Sequence, residues 1–454
     1  MKQQIDEKYL MSEAKVCDAV AKMAIPSVIS SLVTIIYNMA DTFFVGQTGS
    51  ALQVAAVSLT NPIFILFMAF SNMLGMGGSA VASIALGAKD EVKTKNVSAF
   101  VTYASMIVGV ILFAVLIIFM DQILTLFGAN ADTYDAAKGY VFHISYGAPF
   151  IIWSAAASFI VRAEGSSSEA MTGNMIGTVA NIILDPIFIS VLGMGAAGAA
   201  IATTIGNVMA SMYYLWYITR RSKNLSIAPK YFKLGGHIFS NVCSTGLPTA
   251  MLSVLMSVST IILNQILTAY GNAPVAAIGI VFKANMFLAF TQMGIANGIQ
   301  PLLGYNYGSK NMGRFVAVER FTKKCCVVTG VIATLFFFIF RTQVIKLFIA
   351  DEDVIEIGVK MLTAYMLSGP FIGILFVNMN CMQSVGNALP ATILSVMRQG
   401  ILLIPLLFLF NAVFGLNGVI YSQAVTDYAA IICSVVIWKA NSKRLYGDSV
   451  SING

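Results

Sequence analysis

The chain has 454 residues, 58% of them hydrophobic and only 10% charged, with a mean hydropathy of +0.81. A water-soluble domain carries about 25% charged residues, so this composition excludes a soluble globular body. The formal charge of +7 does not imply a nucleic-acid partner, because the basic residues collect at one set of helix ends and act as topology signals.

Residues 1–21 mix Lys2, Lys8 and Lys15 with Asp6, Glu7, Glu13 and Asp18 and then run into a full-length apolar segment. They read as a short cytoplasmic helix or strap, not a cleavable leader. Backbone in lipid must satisfy its polar groups internally, which leaves helices or a closed barrel. Runs such as 106–120 and 401–410 do not alternate as barrel strands do. Windows of roughly 20 apolar residues predict twelve transmembrane helices. The first six cover 22–45, 54–86, 97–120, 137–161, 170–191 and 196–218. The second six cover 239–268, 275–306, 322–341, 358–384, 389–411 and 415–438. The second helix is about 50 Å long at its rise per residue, so it must tilt or project beyond roughly 30 Å of hydrocarbon.

The two sets of six are copies. Residues 54–165 align without a gap on 275–386 at a constant offset of 221. V-A-A-V at 54–57 meets V-A-A-I at 275–278, L-G-A-K at 86–89 meets Y-G-S-K at 307–310, and Ala148-Pro149-Phe150 meets Gly369-Pro370-Phe371. The expected fold is an all-α polytopic membrane protein of two six-helix lobes: 1–218, a linker at 219–238, and 239–454. An even number of helices per copy gives both the same orientation, so a pseudo-two-fold along the membrane normal relates them, with a cleft between. Duplicated bundles of this kind are the usual build of secondary transporters. The connections at Lys89, Lys93, Lys95, Arg220–Lys233 and Arg314–Lys324 are basic, and those at 121–135 and 351–356 are acidic. The positive-inside rule then places both termini in the cytoplasm.

Five charges remain inside the spans: Asp41, Asp185, Lys283, Arg398 and Asp427. Burying an unpaired charge is costly, so each is a candidate site. Asp41 and Asp185 fall at similar depth in the outer half of the first lobe. Asn181 shares the Asp185 helix face, four residues before it, and Thr203 lies at comparable depth. Carboxylates, an amide and hydroxyls suit a proton or a small hard cation such as Na⁺. Arg398 and Asp427 read as a structural ion pair. Lys283 either snorkels or faces the cleft. The six cysteines form no CxxC pair and the two histidines lie far apart, so neither metal nor disulfide is expected.

P-x14-D-x2-F-V-G at 26–46, L-G-A-K-D at 86–90, R-A-E-G at 162–165, N-I-I-L-D-P at 181–186 and G-A-A-G-A-A-I-A-T at 195–203 carry a resemblance. G-L-P at 246–248, Y-G-S-K-N at 307–311 and G-L-N-G at 415–418 extend it. Over essentially its whole length the chain resembles the multidrug and toxic compound extrusion (MATE) family, in the bacterial branch of DinF-like and MepA-type exporters. The resemblance implies H⁺- or Na⁺-coupled export of bulky, often cationic, amphiphilic compounds by alternating access across the bacterial cytoplasmic membrane. It carries the ion site, with H⁺ or Na⁺ as its ion, to Asp41, Asn181, Asp185 and Thr203, and a bend point to Pro26. No other cofactor is expected. Members that couple through the second lobe carry acids there, where this chain has Asn264 and Gln265.

Met and aromatic side chains repack around varied ligands, so Tyr37, Met68, Met175, Met256, Met286 and Phe287, with Lys283, are the candidate substrate cavity. The expected partners are small amphiphiles and membrane lipids, and the protein is expected to work as a monomer. The rival transport reading is a flippase of lipid-linked or anionic amphiphiles, with Lys283 and Arg398 holding the headgroup. No HExxH, no GxSxG and no His or Cys cluster points to an enzyme.

Overall fold

The long apolar runs fold as helices that satisfy their own backbone groups, as a lipid environment demands. The computed structural model describes residues 2–48, 50–233 and 235–446. The first lobe comprises α2 (Val16–Gln47), α3 (Ala51–Gly87), α4 (Glu91–Ile118), α6 (Tyr134–Ala163), α7 (Ser167–Asp185) and α8 (Gly195–Arg220), preceded by a short α1 (Lys2–Ser12). The second comprises α9 (Ile238–Thr268), α10 (Asn272–Gly308), α11 (Met312–Ile339), α13 (Glu352–Met366) with α14 (Gly369–Ser384), α15 (Ala388–Val396) and α16 (Leu403–Tyr446). Two short helices, α5 (Met120–Leu126) and α12 (Arg341–Lys346), occupy stretches that read as plain connections in the sequence.

Among the described residues, nine stretches are long and apolar enough to cross a bilayer, and ten if the bent pair α13–α14 is one span. The last stretch, Ala388–Ser442, is two rods, because Gly415 leaves helical geometry at φ 58° and ψ −142°. With α8 this makes twelve rods among the described residues. The tenth span differs from the single helix expected at 358–384: it bends by 46° between α13 and α14. Pro370 sits in the first turn of α14, where it lacks an N–H and its ring crowds the preceding turn.

The duplication persists in local geometry. Lys89 and Lys310, 221 residues apart, both adopt the left-handed conformation, with φ of 62° and 60°. The next residue of each copy caps the following helix: Asp90 Oδ1 accepts from Lys93 N at 2.9 Å, and Asn311 Oδ1 from Arg314 N at 3.2 Å. The sparse identities in the sequence therefore mark turns and caps, where one residue type is needed.

The lobes meet along α2–α10, α3–α9 and α3–α10. A Cβ at Gly294 would lie 2.8 Å from Val28 Cα, and one at Gly298 2.8 Å from Ala24 Cα. A Cβ at Gly77 would collide with Val242 O, at Gly246 with Met73 O, and at Gly308 with Ile84 O. Asn72 Nδ2 reaches Ser253 Oγ at 3.4 Å, and Gln300 Nε2 reaches Met76 O at 3.4 Å. Apart from Ser253, at the middle of α9, these residues lie in the halves of their helices nearest the basic connections, so these close approaches of the lobes are on the basic side.

Arg162 and Glu164, which the sequence placed in a connection, are buried at 5% and 4% exposure. The Glu164 carboxyl is pushed up to about 7 by burial, although the Ser222 hydroxyl donates to it.

The glycine seam makes a direct prediction. Gly246→Ala forces α9 off α3, and overpacking of this kind costs about 1–3 kcal/mol. Thermal unfolding in detergent should show a lowered midpoint. Gly313→Ala, with nothing within 4 Å of its added Cβ, should leave the midpoint unchanged.

Candidate functional site

Three first-lobe helices converge on a polar cluster in the acidic-side half. α2 contributes Tyr37 and, one turn later, Asp41. Asn181 and Asp185 form the last turn of α7, and Thr203 comes from α8. The cluster sits at a helix irregularity. Pro186 supplies no N–H to the ladder, and the chain continues as a π-helical turn over Pro186–Val191. Leu192 N then bonds to Ile187 O at 2.9 Å, five residues back. This disturbance lies directly beside Asp185.

Close helix approach sets the spacing. A Cβ at Gly177 would lie 2.9 Å from Gly206 O, and one at Gly206 would lie 3.3 Å from Asn181 Cβ. The two glycines let α7 and α8 touch backbone to backbone, which brings Asn181 onto Thr203. The Asn181 amide satisfies both neighbours when its nitrogen faces the carboxylate. Nδ2 then donates to Asp185 Oδ2 at 3.1 Å, while Oδ1 accepts from Thr203 N at 3.0 Å and Thr203 Oγ1 at 3.3 Å. The Tyr37 hydroxyl and Thr203 Oγ1 are 3.1 Å apart. Asn207 Nδ2 donates to Thr203 O at 2.9 Å and its Oδ1 accepts from Ser154 Oγ at 2.8 Å, so the next turn of α8 is tied to α6.

Asp185 is wholly buried, at 0% exposure. Asp41 is half-buried, and its Oδ1 is shielded from solvent without a hydrogen bond. The two carboxylates interact electrostatically with each other and with the phenols of Tyr37 and Tyr140. Neither takes part in an ion pair among the described residues. Chemically, this is a set of oxygen ligands and proton acceptors with uncompensated negative charge.

The expected grouping of Asp41, Asn181, Asp185 and Thr203 is therefore one spatial cluster. Tyr37, assigned from sequence to the substrate cavity, belongs to the same hydrogen-bonded chain. Tyr140 and Asn207 were missed. Tyr140 carries no sequence signal, whereas Asn207 follows Thr203 by one helical turn and could have been found that way.

The other candidates scatter. Met68 packs against the first-lobe core. Met175 lies on the side of α7 opposite Gly177 at about 100° per residue, away from α8. Met256 on α9 is 49% exposed, Phe287 is exposed and Met286 half-buried on α10. Lys283 and Phe287 fall within about 20° of the Gly294 stripe that meets α2, and both are exposed. The Lys283 ammonium sits 5.6 Å from the centre of the Phe348 ring. Pro26 is buried within α2, which runs unbroken from Val16 to Gln47.

Arg398 and Asp427 do pair. Arg398 Nε donates to Asp427 Oδ1 at 2.9 Å, Gln423 Nε2 donates to the same oxygen at 2.9 Å, and Ser368 Oγ donates to Oδ2 at 2.8 Å. The guanidinium also lies 5.5 Å from the Phe376 ring centre. Arg398 belongs to a second π-helical turn, Met397–Leu402.

Comparison with known proteins follows the same outline. The MatE family model matches the chain twice, over residues 26–187 and 248–409. Multidrug export protein MepA of Staphylococcus saprophyticus subsp. saprophyticus is 31% identical over 447 residues, covering 98% of this chain and 99% of that protein. Its namesake from Staphylococcus aureus strain MSSA476 is 32% identical over 444 residues, covering 98% of each. An outward-facing structure of a multidrug resistance MATE family transporter of the MOP superfamily superposes with a TM-score of 0.91. It is 24% identical and covers 96% of this chain and 98% of that one. A crystal structure of MATE in the bent conformation gives 0.90 at 24% identity, covering 98% of this chain and 99% of that one.

In the second copy neither α9 (Ile238–Thr268) nor the stretch 388–414 holds an Asp or Glu. The polar cluster thus belongs to one copy only.

The second-lobe ion pair can be weighed by replacement. Arg398→Met leaves Asp427 buried without its cation and should cost about 3–5 kcal/mol. Arg398→Met combined with Asp427→Leu should recover most of that loss. Thermal unfolding of the single and double variants checks the pair, and equal losses in both would contradict a purely structural role.

Proposed function

The chain belongs to the MatE family, and on that premise we propose that it is a cation-coupled antiporter exporting amphiphilic, often cationic, small molecules. The observation that carries this reading is the two uncompensated carboxylates of one cluster, Asp185 wholly buried and Asp41 half-buried with an unpartnered oxygen. A charge in such a place is costly, and binding H⁺ or Na⁺ relieves that cost. The names of the staphylococcal relatives support export of several compounds.

In the proposed cycle the basic face is cytoplasmic, and so are both termini. The lobes 1–218 and 239–454 rock about the cleft, with 219–238 as their link. With the cleft open outward, drug leaves and Asp41 and Asp185 take up the ion through Asn181, Thr203 and Tyr37. Once neutralised, the cluster no longer opposes closure of the outer side, and the ion departs inward. The membrane potential contributes about 2.3 kcal/mol per charge per 100 mV. The transporter acts as a monomer in the bacterial cytoplasmic membrane and needs no cofactor beyond the coupling ion.

Lys283 on the cleft stripe favours a second reading, in which the cargo is an anionic or lipid-linked amphiphile. A single assay separates the two. In everted vesicles with a preformed pH gradient and no sodium, a lipophilic cation should collapse the gradient with the wild type and not with Asp41→Asn or Asp185→Asn. A sodium-dependent response lost in the same variants would identify Na⁺ as the ion. Cation transport unaffected by neutralising both aspartates would sink the coupling role. If Lys283→Ala alone abolishes transport of an anionic amphiphile while cations are never carried, the second reading stands.

A further inference from the structure

The short helix α1 occupies a position that neither the duplication nor the ion site explains. An isolated helix of 11 residues is marginal in water, so its fold depends on what it docks against. It docks on both lobes at once, on the basic face.

On the second-lobe side its C-terminal end is gripped through the backbone. Arg314 Nε donates to Met11 O at 3.2 Å, one terminal nitrogen donates to Ala14 O at 2.6 Å and the other to Leu10 O at 3.1 Å. Asn306 Nδ2 donates to Met11 O at 3.2 Å. The last carbonyls of a helix have no intrahelical donor and carry the negative end of its dipole. A guanidinium fork fits that end in both charge and hydrogen-bond geometry. Leu10, Met11 and Ala14 are buried in the same core as Phe315, Val318 and Trp438 of the second lobe.

On the first-lobe side the contact is narrower. Ser166 Oγ, in the α6–α7 connection, donates to Glu7 Oε1 at 2.6 Å and accepts from the Tyr217 hydroxyl at 2.7 Å. Beside it, an ideal Cβ built on Gly165 would lie 3.7 Å from Glu7 Cβ and 3.5 Å from Met11 Cγ. Gly165 has φ 100°, a conformation open to glycine and closed to most side chains. The bare backbone there lets α1 lie against the first lobe.

We propose that α1 is a latch across the basic face: it stays clamped to the second lobe through Arg314, and the Glu7–Ser166 contact parts when that face opens. The asymmetry of the two contacts decides which yields. Four backbone hydrogen bonds and a buried apolar face hold one side, and among the described contacts the Ser166–Glu7 hydrogen bond and the approach of Glu7 and Met11 to Gly165 hold the other. The elbow between α1 and α2 spans the seam, so the first lobe reaches its partner through its own N-terminus. The inference rests on the alternating-access reading, but its first test needs no transported substrate.

The test uses the full chain in nanodiscs, in a cysteine-free background with spin labels at Lys93→Cys and Lys324→Cys, one on each lobe. Electron–electron distance measurements should show a longer-distance population that grows at least several-fold in Ser166→Ala and in Arg314→Ala. Unchanged distance distributions in both folded variants would overturn the latch, whatever happens to transport. A second construction guards against misfolding: Glu7→Cys with Ser166→Cys, which avoids a side chain at Gly165. Oxidation should stop efflux of a lipophilic cation and dithiothreitol should restore it. A cross-linked protein that exports at the reduced rate would show that the lobes cycle without releasing α1, and would refute the proposal. Should no variant export anything, the antiport reading fails while the distance measurement still decides the latch.

Discussion

Backbone-to-backbone approach at glycine is the constraint on which the arrangement depends. In lipid there is no hydrophobic drive between helices, and association relies on close packing of small residues. Gly77, Gly246, Gly294, Gly298 and Gly308 let α2 and α3 lie against α9 and α10 with no intervening side chain. They occupy the basic-side halves of these helices, so this close approach of the lobes lies toward that face. Gly177 and Gly206 repeat the device inside the first lobe and thereby assemble Asn181 and Thr203.

The two lobes treat buried charge in opposite ways. In the second, Asp427 has a guanidinium, an amide and a hydroxyl as partners. In the first, Asp185 has an amide and Asp41 keeps a buried oxygen without a donor. A satisfied pair has little reason to change its charge state, whereas an uncompensated carboxylate gains from any cation that reaches it. Duplication supplied two similar bundles, and the second holds no carboxylate in α9 or at 388–414, whereas the first holds Asp41 in α2 and Asp185 in α7. Coupling chemistry in one half and packing in the other is the division of labour this predicts.

Helix breaks mark where the two copies depart from regular packing. The π-turn after Asp185 and the one that carries Arg398 each sit beside a buried charge. The bend between α13 and α14 and the excursion at Gly415 have ordinary causes in proline and glycine. Irregular turns free or reposition backbone groups, which helps a polar side chain find partners in an apolar interior.

The sequence by itself determined the class, the twelve spans, the duplication and which face is basic. These depend on composition and on period, which are local and additive. It also singled out Asp41, Asn181, Asp185 and Thr203, because rarity in an apolar span makes a polar residue visible. Only the tertiary structure decided that Tyr37 joins that group and Met68 packs into the first-lobe core, that Arg162 and Glu164 are buried, and that α1 straddles both lobes. Each of these turns on which side of a helix faces a neighbour, and on contacts such as Arg314 with Met11, about 300 residues apart in the chain. Helical period fixes relative angles along one rod, but the partner of each face is chosen by packing between rods, which no single segment encodes.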